Sequence, residues 1–227
     1  MTGAAPTGTP GGTDGTGRAA LAGYPVSLVV DGRRCVVVGA GRIAARKVAS
    51  LLDAGAAVVV VAPEAVDQVR EWAAANRITL VDRAFEPADL EGAWLAVTAT
   101  GDHAVDGAVA EAAEAARVWC NAADDPELCS FSAVSALRRG DLVVTVGTAG
   151  RSPALAAWLR RRLEREIGPE YATLVDLLAA ARTRLQEEGR ATEDADWQSA
   201  LDSGMLDLIR AGRVDEAEEL LRACLWS

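Results

Sequence analysis

The chain has 227 residues, half of them hydrophobic, and a formal charge of −10 at pH 7, which suits one large domain or an ordinary domain with a small companion. The acidic balance argues against nucleic acid as the main partner, because a phosphate-binding surface needs a dense basic footprint. The longest apolar runs, such as 58–62, fall far short of the roughly 20 residues a membrane-spanning helix needs.

Residues 1–23, MTGAAPTGTPGGTDGTGRAALAG, have neither the basic start nor the apolar middle of a secretory signal. Their Gly/Thr/Pro-rich composition predicts a disordered tail on a soluble, cytoplasmic protein. Periodicity begins at Tyr24, with short strands over 24–30 and 35–39 around an Asp31-Gly32 turn. A helix over 42–54 follows, turning Ile43, Val48, Leu51 and Leu52 inward and ending at Gly55. The run AVVVV at 57–61 has the pattern of a parallel strand buried on both faces. A helix over about 64–75, strands at 79–83 and 94–99, a helix over 103–116 and a strand at 117–121 complete the series. Strands alternating with helices predict an α/β fold, a Rossmann-like doubly wound parallel sheet.

The rhythm then changes. Residues 131–137 fit a short strand or helix, and 141–147 fit a strand. Ser152-Pro153 opens a helix in the cap-then-proline arrangement, with Leu155, Leu159, Leu163 and Ile167 on one stripe. Residues 169–227 are helical in pattern throughout and predict a small all-helical domain.

The stretch VVVGAGRIAARK at 36–47 leaves a strand and opens a helix. Within it, Gly39, Ala40, Gly41, Arg42, Ile43 and Ala44 form the G-x-G-x-x-A dinucleotide fingerprint. Gly39 permits the tight turn, Gly41 lets backbone approach a pyrophosphate, and Ala44 allows close helix–strand packing. The helix N-terminus offers free N–H groups to phosphate. At the next strand end, where an acid would hold the ribose, stand Ala62, Pro63 and Glu64. No arginine is there to pair a 2′-phosphate, which favours NAD over NADP.

The segment CNAADDPELCSF at 120–131 fits a metal site, an acid/base site or a solvated turn. Zinc prefers closely paired Cys or His ligands, and Cys35, Cys120, Cys129 and Cys224 form no such pair. They read as reduced packing residues, and no resident metal is expected. His103 reads as a polar helix-start residue, and Lys47 as a snorkelling or acid-paired side chain.

The segments at 24–64, VTATGDHAV (97–105), CNAADDPELCSF (120–131) and VTVGTAGRSPALA (144–156) together resemble the precorrin-2 dehydrogenase and sirohydrochlorin ferrochelatase family, the N-terminal module of siroheme synthase and its stand-alone relatives. After the tail (1–23), the resemblance implies an NAD-binding Rossmann domain (24–130), a dimerisation segment (131–167) and a helical C-terminal domain (168–227), assembled as a homodimer. It implies NAD-dependent oxidation of precorrin-2 to sirohydrochlorin, and some members also insert Fe²⁺. The family's catalytic aspartate falls on Asp124. Its nucleotide contacts fall on Arg42, Ile43, Pro63 and Glu64, with the turn Thr98-Ala99-Thr100 lining the nicotinamide side. Thr148 keeps the hydroxyl of a serine found in some members. Gly101 departs from the pattern, standing where many relatives carry a carboxylate beside that of Asp102.

A polycarboxylate substrate demands local positive charge on an acidic protein. Arg138, Arg139 and Arg151 are the candidates, with Arg42 and Arg46 at the cradle. Arg160, Arg161 and Arg162 read as a solvated helix face. A different class of function, an NAD(H)-sensing regulatory module, would need neither a reactive carboxylate beyond the sheet nor the segment around Thr148 and Arg151.

Overall fold

The computed structural model describes residues 23–123 and 125–226, so the predicted tail and Asp124 lie outside the described residues. The chain divides into two compact units, residues 1–133 and 134–227.

In the first unit, β1 (Arg34–Val38), β2 (Ala57–Val61), β3 (Thr79–Val81), β4 (Leu95–Thr98) and β5 (Trp119–Ala122) form one sheet in the order β3-β2-β1-β4-β5. Every pairing is parallel. The β-branched runs explain this, because each strand must satisfy an apolar layer on both faces. Cys35, Val37, Val58 and Val60 pack on one side with α1 (Arg42–Asp53) and α2 (Asp67–Ala74). Val36, Val38, Val59 and Val61 pack on the other with Val109 and Ala113 of α3 (His103–Ala116). Each fully buried valine contributes on the order of 1.5–3 kcal/mol relative to an exposed one.

The register aligns Val81, Val61, Val38, Thr98 and Ala122 across the sheet. The loops that follow all five strands therefore leave from one level.

Three expectations change. Residues 24–30 form no strand: β2 and β4 already occupy both sides of β1, and Tyr24 is left 87% exposed. Ile43 points outward at 40% exposure, while Ala44 and Val48 fill the inner face of α1. The second helix starts at Asp67 rather than near Glu64, because the Val66 amide donates to the Ala40 carbonyl (3.0 Å) and holds 62–66 as a loop. The turn at Asp31-Gly32 is as expected, with Gly32 at φ +64°.

In the second unit, β6 (Ser135–Arg139) and β7 (Leu142–Val146) make an antiparallel hairpin turned by Gly140-Asp141. Gly140 supplies the φ of +55° such a two-residue turn favours. The Ser152 hydroxyl caps α4 (Pro153–Glu166) by accepting from the Leu155 amide, with Pro153 first in the helix. Ala156, not Leu155, is the buried residue of its first turn. The remaining helices, α5 (Glu170–Glu187), α6 (Trp197–Asp202), α7 (Met205–Arg210) and α8 (Val214–Leu225), enclose Leu174, Leu185, Met205, Ile209, Leu221 and Leu225. Leu201 of α6 stays exposed. Among the described residues, no helix is long and apolar enough to cross a membrane.

Candidate functional site at the carboxyl edge of the sheet

The aligned strand ends bring four sequence segments together, and the order reverses between β1 and β4. Ligands of open α/β sheets bind at such a switch point.

After β1, Gly39 adopts φ +99°, and a Cβ there would stand 2.5 Å from the Ala99 carbonyl oxygen. Only glycine lets the β1 and β4 turns approach this closely. Over Gly41 the space is open, with nothing within 4 Å of a built Cβ. Gly41 is the N-cap of α1, supplies no side-chain acceptor, and is followed by a first turn without an acidic residue. Helix N-termini usually recruit a carboxylate or capping hydroxyl. Here the amides and the positive dipole end are left for an external anion. These features fit the pyrophosphate of a dinucleotide; Ala40 in the turn is buried, and Arg42 and Ile43 at the start of α1 are exposed. Pro63 and Glu64, also exposed, follow β2.

After β4, the turn Thr98-Ala99-Thr100 is held from below by Asp106 of α3. The carboxylate Oδ1 accepts from the hydroxyls of Thr98 and Thr100, the latter at 2.7 Å, and from the Thr100 amide at 3.3 Å. Thr98 is 0% exposed, so it supports the turn rather than touching a ligand, whereas Ala99 and Thr100 remain partly open. Asp102 caps α3, accepting from the amides of Ala104 and Val105.

After β5 comes the loop that carries Asp124. Its base is cinched twice. The Ser130 amide donates to the Cys120 carbonyl (2.8 Å), and the Cys120 amide donates to the Ser130 hydroxyl (2.7 Å). The Asn121 side-chain amide donates to the Phe131 carbonyl (3.0 Å) and to Cys129 Sγ (3.3 Å), while its oxygen accepts from Lys47 Nζ (3.3 Å). Cys129 also donates to the Ala122 and Asp125 carbonyls. Asp125 caps a short 3₁₀ turn, Pro126–Leu128, by accepting from the Glu127 amide. Its other oxygen lies 3.0 Å from His103 Nδ1. Burial pushes the Cys120 thiol up to about 11 and raises Cys129 as well.

Sequence reasoning passed over Asp106 and Asn121 and misjudged Lys47, which bonds an amide of β5. The signal for Asp106 was a carboxylate on the buried stripe of α3, in line with Val109 and Ala113.

Of the arginines proposed for substrate, Arg138 and Arg151 are exposed. Arg139 is occupied: its guanidinium donates to the Ile167 (2.9 Å), Arg138 (2.9 Å) and Glu164 (3.4 Å) carbonyls, closing the C-terminus of α4. The Thr148 hydroxyl accepts from the Ser152 amide (3.1 Å) in the turn before α4. Arg160 and Arg162 pair with Glu164 and Glu166 along α4; the second pair lies on a solvated face, whereas the first is half-buried.

Residues 26–135 match a protein family described as "Putative NAD(P)-binding". The chain is 36% identical over 203 residues to a siroheme synthase of Nitrosococcus oceani, covering 88% of this chain and 43% of that protein. It is 38% identical over 200 residues to one from Methylococcus capsulatus, covering 87% and 42%. The chain thus spans less than half the length of these curated relatives. Among solved structures, the fold matches SirC, precorrin-2 dehydrogenase, with a TM-score of 0.69 at 24% identity, covering 88% of this chain and 99% of that one. With the dinucleotide cradle, the threonine turn and the cinched β5 loop on one sheet edge, the first unit is an NAD(P)-binding domain of Rossmann type, and the chain is similar in sequence to the matching part of the siroheme synthases.

Proposed function

We propose that this protein is an NAD-dependent precorrin-2 dehydrogenase that forms sirohydrochlorin, with Asp124 as the base. The observation that carries the reading is the convergence of the phosphate cradle, the Thr98–Thr100 turn and the Asp124 loop at one edge of the sheet. Dehydrogenation removes a hydride and a proton from the macrocycle. NAD, when bound, accepts the hydride at its nicotinamide ring. Gly39–Ile43 hold the pyrophosphate, Glu64 and Pro63 flank the ribose, and the Asp106-braced turn orients the nicotinamide end. Asp124 takes the proton. The second unit offers Arg138 and Arg151 as exposed guanidiniums suited to substrate carboxylates, with Thr148 in the turn that leads to Arg151; the fork of Arg139 is spent on α4.

Anaerobic incubation with precorrin-2 and NAD tests the reading, following NADH and sirohydrochlorin absorbance. Asp124→Asn should bind NAD normally and turn over at least about a hundredfold more slowly. Normal turnover by that variant overturns the assignment of the base.

The proposal extends to a cytoplasmic homodimer and to Fe²⁺ insertion into sirohydrochlorin. Support for the dimer comes from large apolar side chains left exposed in the second unit, Val134, Val143, Leu155 and Trp158. Sedimentation equilibrium checks it. For insertion, the macrocycle supplies the ligands and Asp124 takes its pyrrole protons. An unaccelerated Fe²⁺ insertion rate removes that part of the reading.

A further inference from the structure

The chain contains twenty-two arginines and one lysine. That lysine is half-buried on α1, one turn beyond the phosphate cradle, and its ammonium donates to Asn121 Oδ1 across to β5. Asn121 is itself buried and uses its amide hydrogens on Phe131 and Cys129, the two residues at the returning end of the Asp124 loop.

We infer that Lys47 is a positioning residue: through Asn121 it latches the Asp124 loop to the helix that binds the cofactor. The chemistry explains the choice of side chain. An ammonium is a compact donor on a flexible stem, able to reach a single amide oxygen in a narrow gap, whereas a guanidinium is a broad planar fork. With its oxygen held by Lys47, the Asn121 amide plane is fixed, and both of its N–H groups point at the loop's closing residues. The polar set is satisfied as a unit, so loss of one member loosens the rest. Cradle and loop then move as one body, which keeps the proton acceptor in register with the bound nicotinamide. The catalytic part of this inference rests on the proposed role of Asp124; the latch itself does not.

Lys47→Met keeps the stem and removes the donor. In full-length protein, hydrogen exchange of amides over 121–131 should quicken about tenfold, while peptides from α3 keep their protection. The NAD dissociation constant should stay within about twofold of wild type, and kcat with precorrin-2 should fall at least about tenfold. Asn121→Ala should produce the same pattern, and Lys47→Met added to it should cost no more. Unchanged loop exchange in Lys47→Met, or additive effects in the double variant, would overturn the latch. Faster loop exchange with unaltered kcat would overturn its positioning role. Wild-type protein inert towards precorrin-2 would instead sink the proposed function and leave the latch to be judged by exchange alone.

Discussion

Gly39 lies so close beneath Ala99 that a methyl group on it would stand 2.5 Å from the Ala99 carbonyl oxygen. Gly39→Ala must therefore accept both that clash and a positive φ, at a cost of about 2–4 kcal/mol. Gly41 is the contrasting case, with φ −79° and open space above it. Gly41→Ala should unfold at the wild-type urea midpoint yet bind NAD about tenfold more weakly, because its methyl enters the open space proposed to take the pyrophosphate. Unweakened binding by Gly41→Ala would contradict the cradle.

Asp106 satisfies two hydroxyls and one backbone amide from a position only 6% exposed. Asp106→Ala leaves those donors without an acceptor and should destabilise the first unit by about 2–3 kcal/mol. Asp106→Asn keeps one acceptor oxygen and should lose less. Both should raise the KM for NAD, since the turn they loosen is the one proposed to line the nicotinamide. Urea denaturation and steady-state kinetics on the two variants check the ordering.

Acid stability should depend on the buried Asp89. The Arg83 guanidinium forks onto its carboxylate at 2.8 and 2.7 Å and holds it below the usual carboxylate range, against burial that pushes it up. A carboxyl more acidic in the folded chain binds fewer protons there than in the unfolded one. Its contribution is therefore complete above the unfolded value of about 3.9 and is lost as pH falls through the lower folded value. Asp89→Asn should be less stable than wild type near neutrality, and the gap should narrow as pH drops below about 4. A gap independent of pH would show that the ion pair is not the source.

Thiol reactivity reports on the core. With Cys120 pushed to about 11 and Cys35 raised, both by burial, neither thiol ionises appreciably at mildly alkaline pH. Iodoacetamide should leave both unmodified in the folded protein and alkylate both in urea, as peptide masses will report. Alkylation of Cys120 at the rate of an unfolded thiol would contradict the packing of β5.

The sheet was readable because its strands are β-branched runs and its helices carry clear apolar stripes. The cradle was readable because the chemistry of pyrophosphate binding confines it to a few consecutive residues. Tyr24–Val30 misled for a matching reason: its alternation is that of a strand, but pairing also needs a vacant neighbour, and both sides of β1 are taken. The polar scaffold was harder still. Lys47 meets Asn121 across 74 positions of sequence, and Arg139 finds its carbonyls only because the hairpin packs against the end of α4. Such contacts are decided by packing, and no local pattern announces them.

A single lysine also gives this protein a built-in clock for its own opening. A lysine-specific protease has one cleavable bond here, between Lys47 and Val48, and it lies inside α1 with Val48 fully buried. Cleavage needs that helix to unwind first, so the rate of appearance of two fragments measures how often the first unit opens. Saturating NAD should slow that cut in proportion to its occupancy, turning one peptide bond into a direct gauge of cofactor binding.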